Sequence, residues 1–175
     1  RGYFPFSWDD NHQSRIGLLD RNGASGAVQW FEIERTYFFH TFNAHEDPNG
    51  NVVITAAAYG RLFDTDWNGP FTESSPQLTK WELNIKSGQA TSTKLDDRAV
   101  EFPRINPSLV GKFNQYAYAL ASSNTTEPDF KEIVKYDLKN DTSEVYQYGN
   151  GKFGAEPVFV AAEGAKSEDE GYLLS

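Results

Sequence analysis

The feature of this sequence that most constrains its fold is an internal repeat. Lys-Trp-Glu-Leu at residues 80–83 recurs as Lys-Tyr-Asp-Leu at residues 135–138, a spacing of 55 residues, and a turn and another short strand-like segment follow each copy. Glu101 and Glu156 stand at the same spacing, each 18 residues after the end of its copy. Arg-Ile-Gly-Leu at residues 15–18 is a weaker earlier copy. Self-similarity at a fixed period predicts an array of one supersecondary unit.

The segments within the repeat have the pattern of β-strands. They are rich in Val, Ile, Thr and aromatic residues, and Gly, Pro, Asn or Asp separates them every ~8–12 residues. Helical periodicity over three turns is scarce, so the sequence predicts an all-β fold. The predicted strands are residues 28–33, 37–43, 52–59, 78–85, 115–121, 132–138, 143–148 and 157–160, with a further strand that begins at Gly171.

A repeated unit of about four short strands is typical of a β-propeller blade. The chain holds about three such units, so we expect residues 1–175 to form a single partial β-propeller domain. Three blades without the rest of a ring would leave unpaired strand edges exposed. This argument, with Arg1 as the first residue and a last strand that stops at Ser175, predicts a fragment truncated at both ends.

Composition excludes several classes of function. A net charge of −9 and a pI near 4.8 would repel nucleic acid and anionic membrane surfaces, so neither is expected as a primary ligand. The sequence has no cysteine, which excludes a disulfide framework and leaves His, Asp and Glu as the expected metal ligands. No apolar run in the sequence approaches the length of a membrane span, and a cytoplasmic location is expected.

Three residues of the repeat have the chemistry of a metal site. The first strand of each propeller blade lines the central axis, so equivalent positions in successive blades converge. The repeat assigns His40, Glu101 and Glu156 to such positions. They could form a metal centre, either as direct ligands or as one ligand with supporting carboxylates. On the residues alone, a packed or surface histidine fits His40 equally well. The two glutamates would also suit a glycosidase, whose carboxylates stand about 5 to 9.5 Å apart, but that mechanism leaves His40 without a role.

Three blocks of the sequence resemble one known family. Phe-His-Thr-Phe-Asn-Ala-His-Glu at residues 39–46 is similar to the Phe-His-x-x-Asn-Ala-x-Glu segment of the carotenoid cleavage oxygenases, which include the retinal pigment epithelium isomerase and the lignostilbene dioxygenases. Glu-Phe-Pro-Arg-Ile-Asn at residues 101–106 resembles that family's Glu-Phe-Pro-x-Ile-Asn. Residues 156–160 and 168–175 resemble a third block, and the blocks occur in the family's order.

The resemblance implies a seven-bladed propeller with Fe(II) on its axis, held by four histidines that three glutamates orient. His40 matches one ligand position, and Glu101 and Glu156 match two of the glutamate positions. A carboxylate that accepts a ring N–H leaves the other ring nitrogen for iron. Because its blade directly follows that of His40, Glu101 is expected to support His40, and Glu156 a histidine outside this chain. Trp8-Asp9 and Arg-Ile-Gly at residues 15–17 are typical of bacterial members.

The implied activity is that of a non-haem Fe(II)-dependent dioxygenase. Such an enzyme cleaves a conjugated C=C bond of a carotenoid, apocarotenoid or stilbene-like substrate with O2 and gives two carbonyl products. A metal-free propeller that binds ligands, and a retinoid isomerase of the same family, stay as alternatives. The resemblance also leaves open peripheral contact with a membrane through parts of the fold that this chain does not contain.

Other polar residues match no ligand position of the family. His12 lies in a polar, loop-like stretch, and His45 stands where the family usually has an aromatic residue. Glu46 and Asp47 are interpreted as a solvated turn. The charged run at residues 166–170 is predicted to be an exposed loop, because a calcium site would need more oxygen ligands at defined spacings.

Overall fold

The structure is a computed structural model that describes residues 5–23, 26–66, 72–123 and 129–175. These residues form twelve β-strands and a short 3-10 helix at Pro107–Leu109, which confirms the predicted all-β fold class. The strands are β1 (Arg15–Leu18), β2 (Gln29–Glu32), β3 (Tyr37–Glu46), β4 (Val52–Tyr59), β5 (Gln77–Asn84), β6 (Gln89–Lys94), β7 (Ala99–Arg104), β8 (Tyr116–Ser122), β9 (Glu132–Asp137), β10 (Thr142–Gln147), β11 (Val158–Ala161) and β12 (Gly171–Leu174).

Antiparallel pairing groups the described strands into four sheets. The first sheet contains β1 and β2, the second β3 to β6, the third β7 to β10, and the fourth β11 and β12. In the second and third sheets each strand pairs with its neighbour in sequence, which is the order of a propeller blade. β1 carries the weak copy of the sequence found in the third strand of the complete sheets. The first sheet therefore matches the outer half of a blade, and the fourth matches an inner half.

The sequence repeat corresponds to a repeated packing unit. Trp81 in β5 and Tyr136 in β9 are both buried, and the polar atom of each ring has an acidic partner. Nε1 of Trp81 donates to Oε1 of Glu34 at 3.1 Å, and the hydroxyl of Tyr136 donates to Oδ2 of Asp96 at 2.6 Å. Glu34 and Asp96 lie in the links that precede the first strands of the two sheets. Each sheet is thus anchored by one large ring, a kind of residue whose truncation typically costs ~3–5 kcal/mol.

The apolar core lies between consecutive sheets. One cluster of buried side chains joins the first and second sheets, and a second cluster joins the second and third. This packing brings β3 against β7, the first strands of the two complete sheets. The cluster members are Phe31, Ile33, Ile54, Ala56, Ala58, Trp81 and Leu83 in the first case, and Phe42, Leu78, Val100, Ile105, Ala117, Ala119, Ala121, Val134 and Tyr136 in the second.

The predicted strand positions agree with the structure apart from their ends. Each predicted segment contains a strand, and β12 begins at Gly171 as expected. β3 continues past the predicted end at Asn43 to Glu46, because its last residues pair with the start of β4 in a hairpin. Among the described residues, no helix combines the length and the hydrophobicity needed to cross a membrane.

Candidate metal-binding site

His40 and Glu101 meet at the boundary between the second and third sheets. Nδ1 of His40, in β3, lies 2.9 Å from Oε2 of Glu101, in β7. The side chain of His40 is 43% exposed, whereas that of Glu101 is 5% exposed. The carboxylate is a hydrogen-bond acceptor, so the proton of a neutral imidazole lies on Nδ1 and Nε2 keeps its lone pair. The ring is therefore anchored on one nitrogen and available for a ligand bond on the other.

Both carboxylate oxygens of Glu101 have hydrogen-bond donors. Oε2 also accepts the backbone N–H of Phe102 at 2.8 Å, and Oε1 accepts the hydroxyl of Tyr59 at 2.9 Å. A buried carboxylate is tolerated only when such donors replace the water that it has lost. These contacts fix the orientation of the carboxylate that faces His40.

The strands that carry these residues are irregular at the same place. In β3, Phe39 and His40 stand opposite one residue of β4, and in β7 two residues that follow Glu101 stand opposite one residue of β8. Such β-bulges redirect side chains and are common beside active sites. Leu78 and Ile133 stand 55 residues apart and pair with Ala57 and Leu120, so these two residues hold equivalent places. The register therefore aligns Glu101, opposite Leu120, with the bulge at residues 39–40, opposite Ala57. This register agrees with the repeat alignment of His40 and Glu101, and both bulges lie where these two side chains meet.

Two aromatic rings flank the imidazole of His40. The ring centroid of Phe102 lies 5.5 Å from that of His40, and the ring of Phe39 lies 6.3 Å away on its own strand. Phe102 has a φ of 54°, in the left-handed region, which is costly for a residue with a bulky side chain. Backbone strain of this kind clusters at functional sites, and here it accompanies the N–H bond from Phe102 to Glu101.

Tyr59 is a fixed hydrogen-bond donor to Glu101. It ends β4, its side chain is almost completely buried, and its ring packs edge-on against Phe39 at 5.6 Å. Burial first, and then the charge of Glu101 and the hydrogen bond to it, raise the pKa of Tyr59 well above its ordinary value. The phenol therefore stays protonated and donates throughout the physiological pH range.

Glu156 has a different environment from Glu101. It lies just before β11, and its Oε1 is 2.7 Å from Nη2 of Arg104, the last residue of β7. Both side chains are more than 40% exposed. The structure thus ties Glu156 to the third sheet and does not place it on the His40–Glu101 pair. Its expected role, to support a histidine outside this chain, stays a prediction.

The residues present could supply one ligand of a metal site. Within the part of the chain that the structure describes, no three His, Cys, Asp or Glu side chains gather closely enough to hold a metal ion. Among the three histidines, which all lie in described residues, His40 has the form of a prepared ligand, since a carboxylate holds its Nδ1 and its side chain is partly exposed. A metal bound at Nε2 of His40 would take its remaining ligands from other parts of the protein.

The other two histidines lie in different surroundings. His12 is exposed. His45, at the far end of β3, packs edge-on against Phe113 at 5.6 Å, in a cleft that Leu95 and Leu138 also line. Burial lowers the pKa of His45, and the charge of Asp47 partly opposes the shift. The structure gives His45 a packing role between sheets.

Asn43 and Glu168 join neighbouring sheets, a role that the sequence analysis did not predict. Asn43, inside the first family block, is buried, and its amide binds the loop between β7 and β8. Glu168 accepts the backbone N–H groups of Gln115 at 2.9 Å and Tyr116 at 2.7 Å, at the start of β8. Residues 166–170 form a loop, as predicted, in which Glu168 is half-buried. The sequence gives no signal for this contact of Glu168, because its partners lie more than 50 residues away along the chain.

The fold is a partial β-propeller, and a histidine–glutamate pair lies between two of its blades. The family model described as retinal pigment epithelial membrane protein matches residues 1–175, the whole chain. The chain belongs to this family, which is that of the carotenoid cleavage oxygenases.

Curated relatives from bacteria and plants match nearly the whole chain. A carotenoid cleavage oxygenase of Mycobacterium tuberculosis is 34% identical over 97% of this chain and 36% of its own length. A carotenoid 9,10(9',10')-cleavage dioxygenase of Crocus sativus is 33% identical over 99% of this chain and 35% of its own length. The chain thus spans about a third of the length of the curated relatives it matches.

Solved structures of the same family have the same fold. Cobalt-substituted ACO from Synechocystis superposes with a TM-score of 0.83 at 26% identity, over 95% of this chain and 36% of the solved one. An ACO/RPE65 chimera gives a TM-score of 0.81 at 27% identity, over 92% of this chain and 34% of its own. These matches confirm that the four sheets are part of a larger β-propeller.

Proposed function

We propose that the full-length protein is a non-haem Fe(II)-dependent dioxygenase that cleaves a conjugated C=C bond of a carotenoid or apocarotenoid with O2 and forms two carbonyl products. The names of the relatives favour these substrates over a stilbene-like phenol. The observation that carries the proposal is the 2.9 Å contact between the buried Glu101 and Nδ1 of the accessible His40. An imidazole held in this way is typical of a metal ligand.

The residues of this chain have separate tasks in the proposed site. Nε2 of His40 would hold Fe(II), and Glu101 keeps the ring proton on Nδ1. Glu156 would support a second histidine from elsewhere in the protein. When bound, Fe(II) supplies a centre at which O2 can be activated beside the alkene. Phe39 and Phe102 line His40 with apolar surface, which suits a conjugated hydrocarbon chain and limits the access of water.

Substitutions in the full-length protein would separate a ligand from its support. His40→Ala should abolish iron binding, because it removes a ligand. Glu101→Gln keeps the size of the side chain and one acceptor oxygen, so it should weaken iron affinity or activity by about 10- to 100-fold, with partial recovery in excess Fe(II). Glu82→Gln, which changes a more exposed acid paired with Lys80 at 3.3 Å, is the matched control and should behave like the wild type. Iron content and activity against a carotenoid are the measurements.

The alternatives give different results in the same experiment. A wild-type protein that retains no iron after reconstitution would identify a metal-free binding propeller. An isomerase would convert a retinoid without forming two carbonyl fragments, which mass spectrometry of the products distinguishes. Full iron occupancy and wild-type activity in Glu101→Gln would show that Glu101 does not support a ligand.

A further inference from the structure

We propose that Tyr59 is a positioning residue for His40, acting through Glu101. Its hydroxyl holds Oε1 of Glu101 at 2.9 Å, so that Oε2 is presented to Nδ1 of His40. The effect on metal binding rests on the function proposed above, whereas the effect on the imidazole itself does not.

The geometry shows why the carboxylate needs this donor. The terminal torsion of a glutamate side chain is broad, so the carboxylate can rotate unless both of its oxygens are held. His40 and Phe102 both bind Oε2, which leaves Oε1 as the only point at which the rotation can be stopped. The hydroxyl of Tyr59 binds there and fixes the plane of the group.

The backbone and the ring of Tyr59 are both held in place by their neighbours. Its backbone pairs with Tyr37 at the end of β4, and its ring forms a buried cluster with Leu62 and Phe63. Tyr59 and His40 belong to the second sheet, and Glu101 belongs to the third. Two donors of the second sheet therefore bind one carboxylate of the third sheet, that of Glu101. These hydrogen bonds fix the position of one blade relative to the other.

The competing interpretation is that Tyr59 is only a core residue, and the chain contains a control for this. Tyr136 is also buried, and its hydroxyl also donates to a carboxylate, Oδ2 of Asp96 at 2.6 Å. Its acid partner is not the one that binds His40. Tyr136→Phe removes a buried phenol–carboxylate bond like that lost in Tyr59→Phe, so a purely structural role predicts matching results for the two variants.

The test uses the full-length protein with both variants. In the metal-free form, the 15N shifts of His40, assigned by loss of its signal in His40→Gln, report which ring nitrogen carries the proton. Tyr59→Phe should lower the population protonated on Nδ1, and Tyr136→Phe should not. In a chelator competition with Co(II), Tyr59→Phe should weaken binding about tenfold, at the lower end of the range for outer partners of ligands, whereas Tyr136→Phe should stay within about twofold of the wild type.

The outcomes separate this proposal from the one on function. Equal tautomer populations in the wild type and Tyr59→Phe, or equal losses of affinity in the two tyrosine variants, would overturn the positioning role. A tautomer shift in Tyr59→Phe with unchanged Co(II) affinity, together with full metal binding by His40→Ala, would support the positioning role and reject His40 as a ligand.

Discussion

Burying a carboxylate such as that of Glu101 is costly unless donors replace its lost water. Its donors come from both sides of a sheet boundary: His40 and Tyr59 from the second sheet, and Phe102 from the third. The acid is therefore fully compensated only when the two sheets are docked. It follows that the site forms together with the inter-sheet packing and does not exist before it.

His45 should make the stability of the protein depend on pH. Burial lowers its pKa in the folded state, whereas the unfolded chain restores a value of about 6.5. Below about pH 6.5 the unfolded state binds the proton more readily, so stability is lost as the pH falls from that value toward the folded pKa. His45→Phe removes the titration and keeps a ring against Phe113. We expect the Tm of the full-length variant to fall less than that of the wild type between about pH 7.5 and 5.5, measured by differential scanning fluorimetry.

His12 provides the control for this prediction. It is exposed, so His12→Gln should reproduce the pH dependence of the wild type. An identical decrease of Tm in His45→Phe and the wild type would show that another group causes the dependence.

At the residue scale, the sequence predicts the pair but not its surroundings. His40 and Glu101 follow from the family blocks and the order of the blades, and the structure brings the two side chains together. Tyr59 could not be predicted, because its donor role depends on contact across sheets. The bulges at residues 39–40 and 102–103 could not be predicted either, because a fixed repeat spacing does not locate inserted residues.

Among the elements, the loop between β7 and β8 is the one most clearly held from both sides. From the second sheet, the amide of Asn43 donates to the carbonyl of Lys112 at 2.8 Å and accepts the N–H of Gly111 at 3.0 Å. From the side of the fourth sheet, Glu168 accepts two N–H groups where the loop enters β8, and its carbonyl accepts the amide of Asn106 at 2.9 Å. The loop thus connects three sheets through polar contacts, beside the apolar core.

Asn43→Leu should therefore destabilise the full-length protein strongly. The substitution removes both halves of the amide and leaves backbone groups of the loop, and the buried Asn114, without their partner. Each buried polar group left unsatisfied costs about 1–3 kcal/mol, so we expect a loss of at least about 2 kcal/mol in urea unfolding. Asn140→Leu, in an exposed turn where Nδ2 binds Asp137 at 2.8 Å, should cost about 0.5 kcal/mol or less. Similar urea midpoints for the two variants would contradict this role of Asn43.

At the element scale, the predictions succeed where the pattern is local. Alternating apolar residues predict β4, β5, β8 and β9, which become the buried middle strands of the complete sheets. β6 is an edge strand with the sequence Gln-Ala-Thr-Ser-Thr-Lys, so only its place after a repeated turn indicated it. The 3-10 helix was not predicted, although Asn106 caps it and Pro107 stands at its start.

At the scale of the whole molecule, two complete sheets stand between two sheets of two strands. The sequence indicates which strands of a blade the first sheet contains, since the weak repeat copy at residues 15–18 corresponds to a third strand. The end sheets also expose large apolar side chains. Trp30 of β2 is 53% exposed, and Tyr172 of β12 is 66% exposed.

The 175-residue chain expressed alone should fail to fold as a stable monomer. The unpaired edges of β1 and β12 and the exposed rings beside them favour association over a unique fold. We expect aggregation or a broad melt in circular dichroism, with the full-length protein as the control that melts cooperatively. A sharp, reversible transition from a monomer by light scattering would refute this expectation.

The two end sheets are also complementary to each other. β11 and β12 match the first and second strands of a blade, and β1 and β2 match its third and fourth. The free edge of β12 in one copy can therefore accept β1 of the next, which would complete one four-stranded sheet from two molecules. Every copy carries both halves, so the contact is heterologous and need not close into a ring. Isolated chains would then grow by end-to-end addition, to lengths set by concentration, with each new joint a blade shared between neighbours.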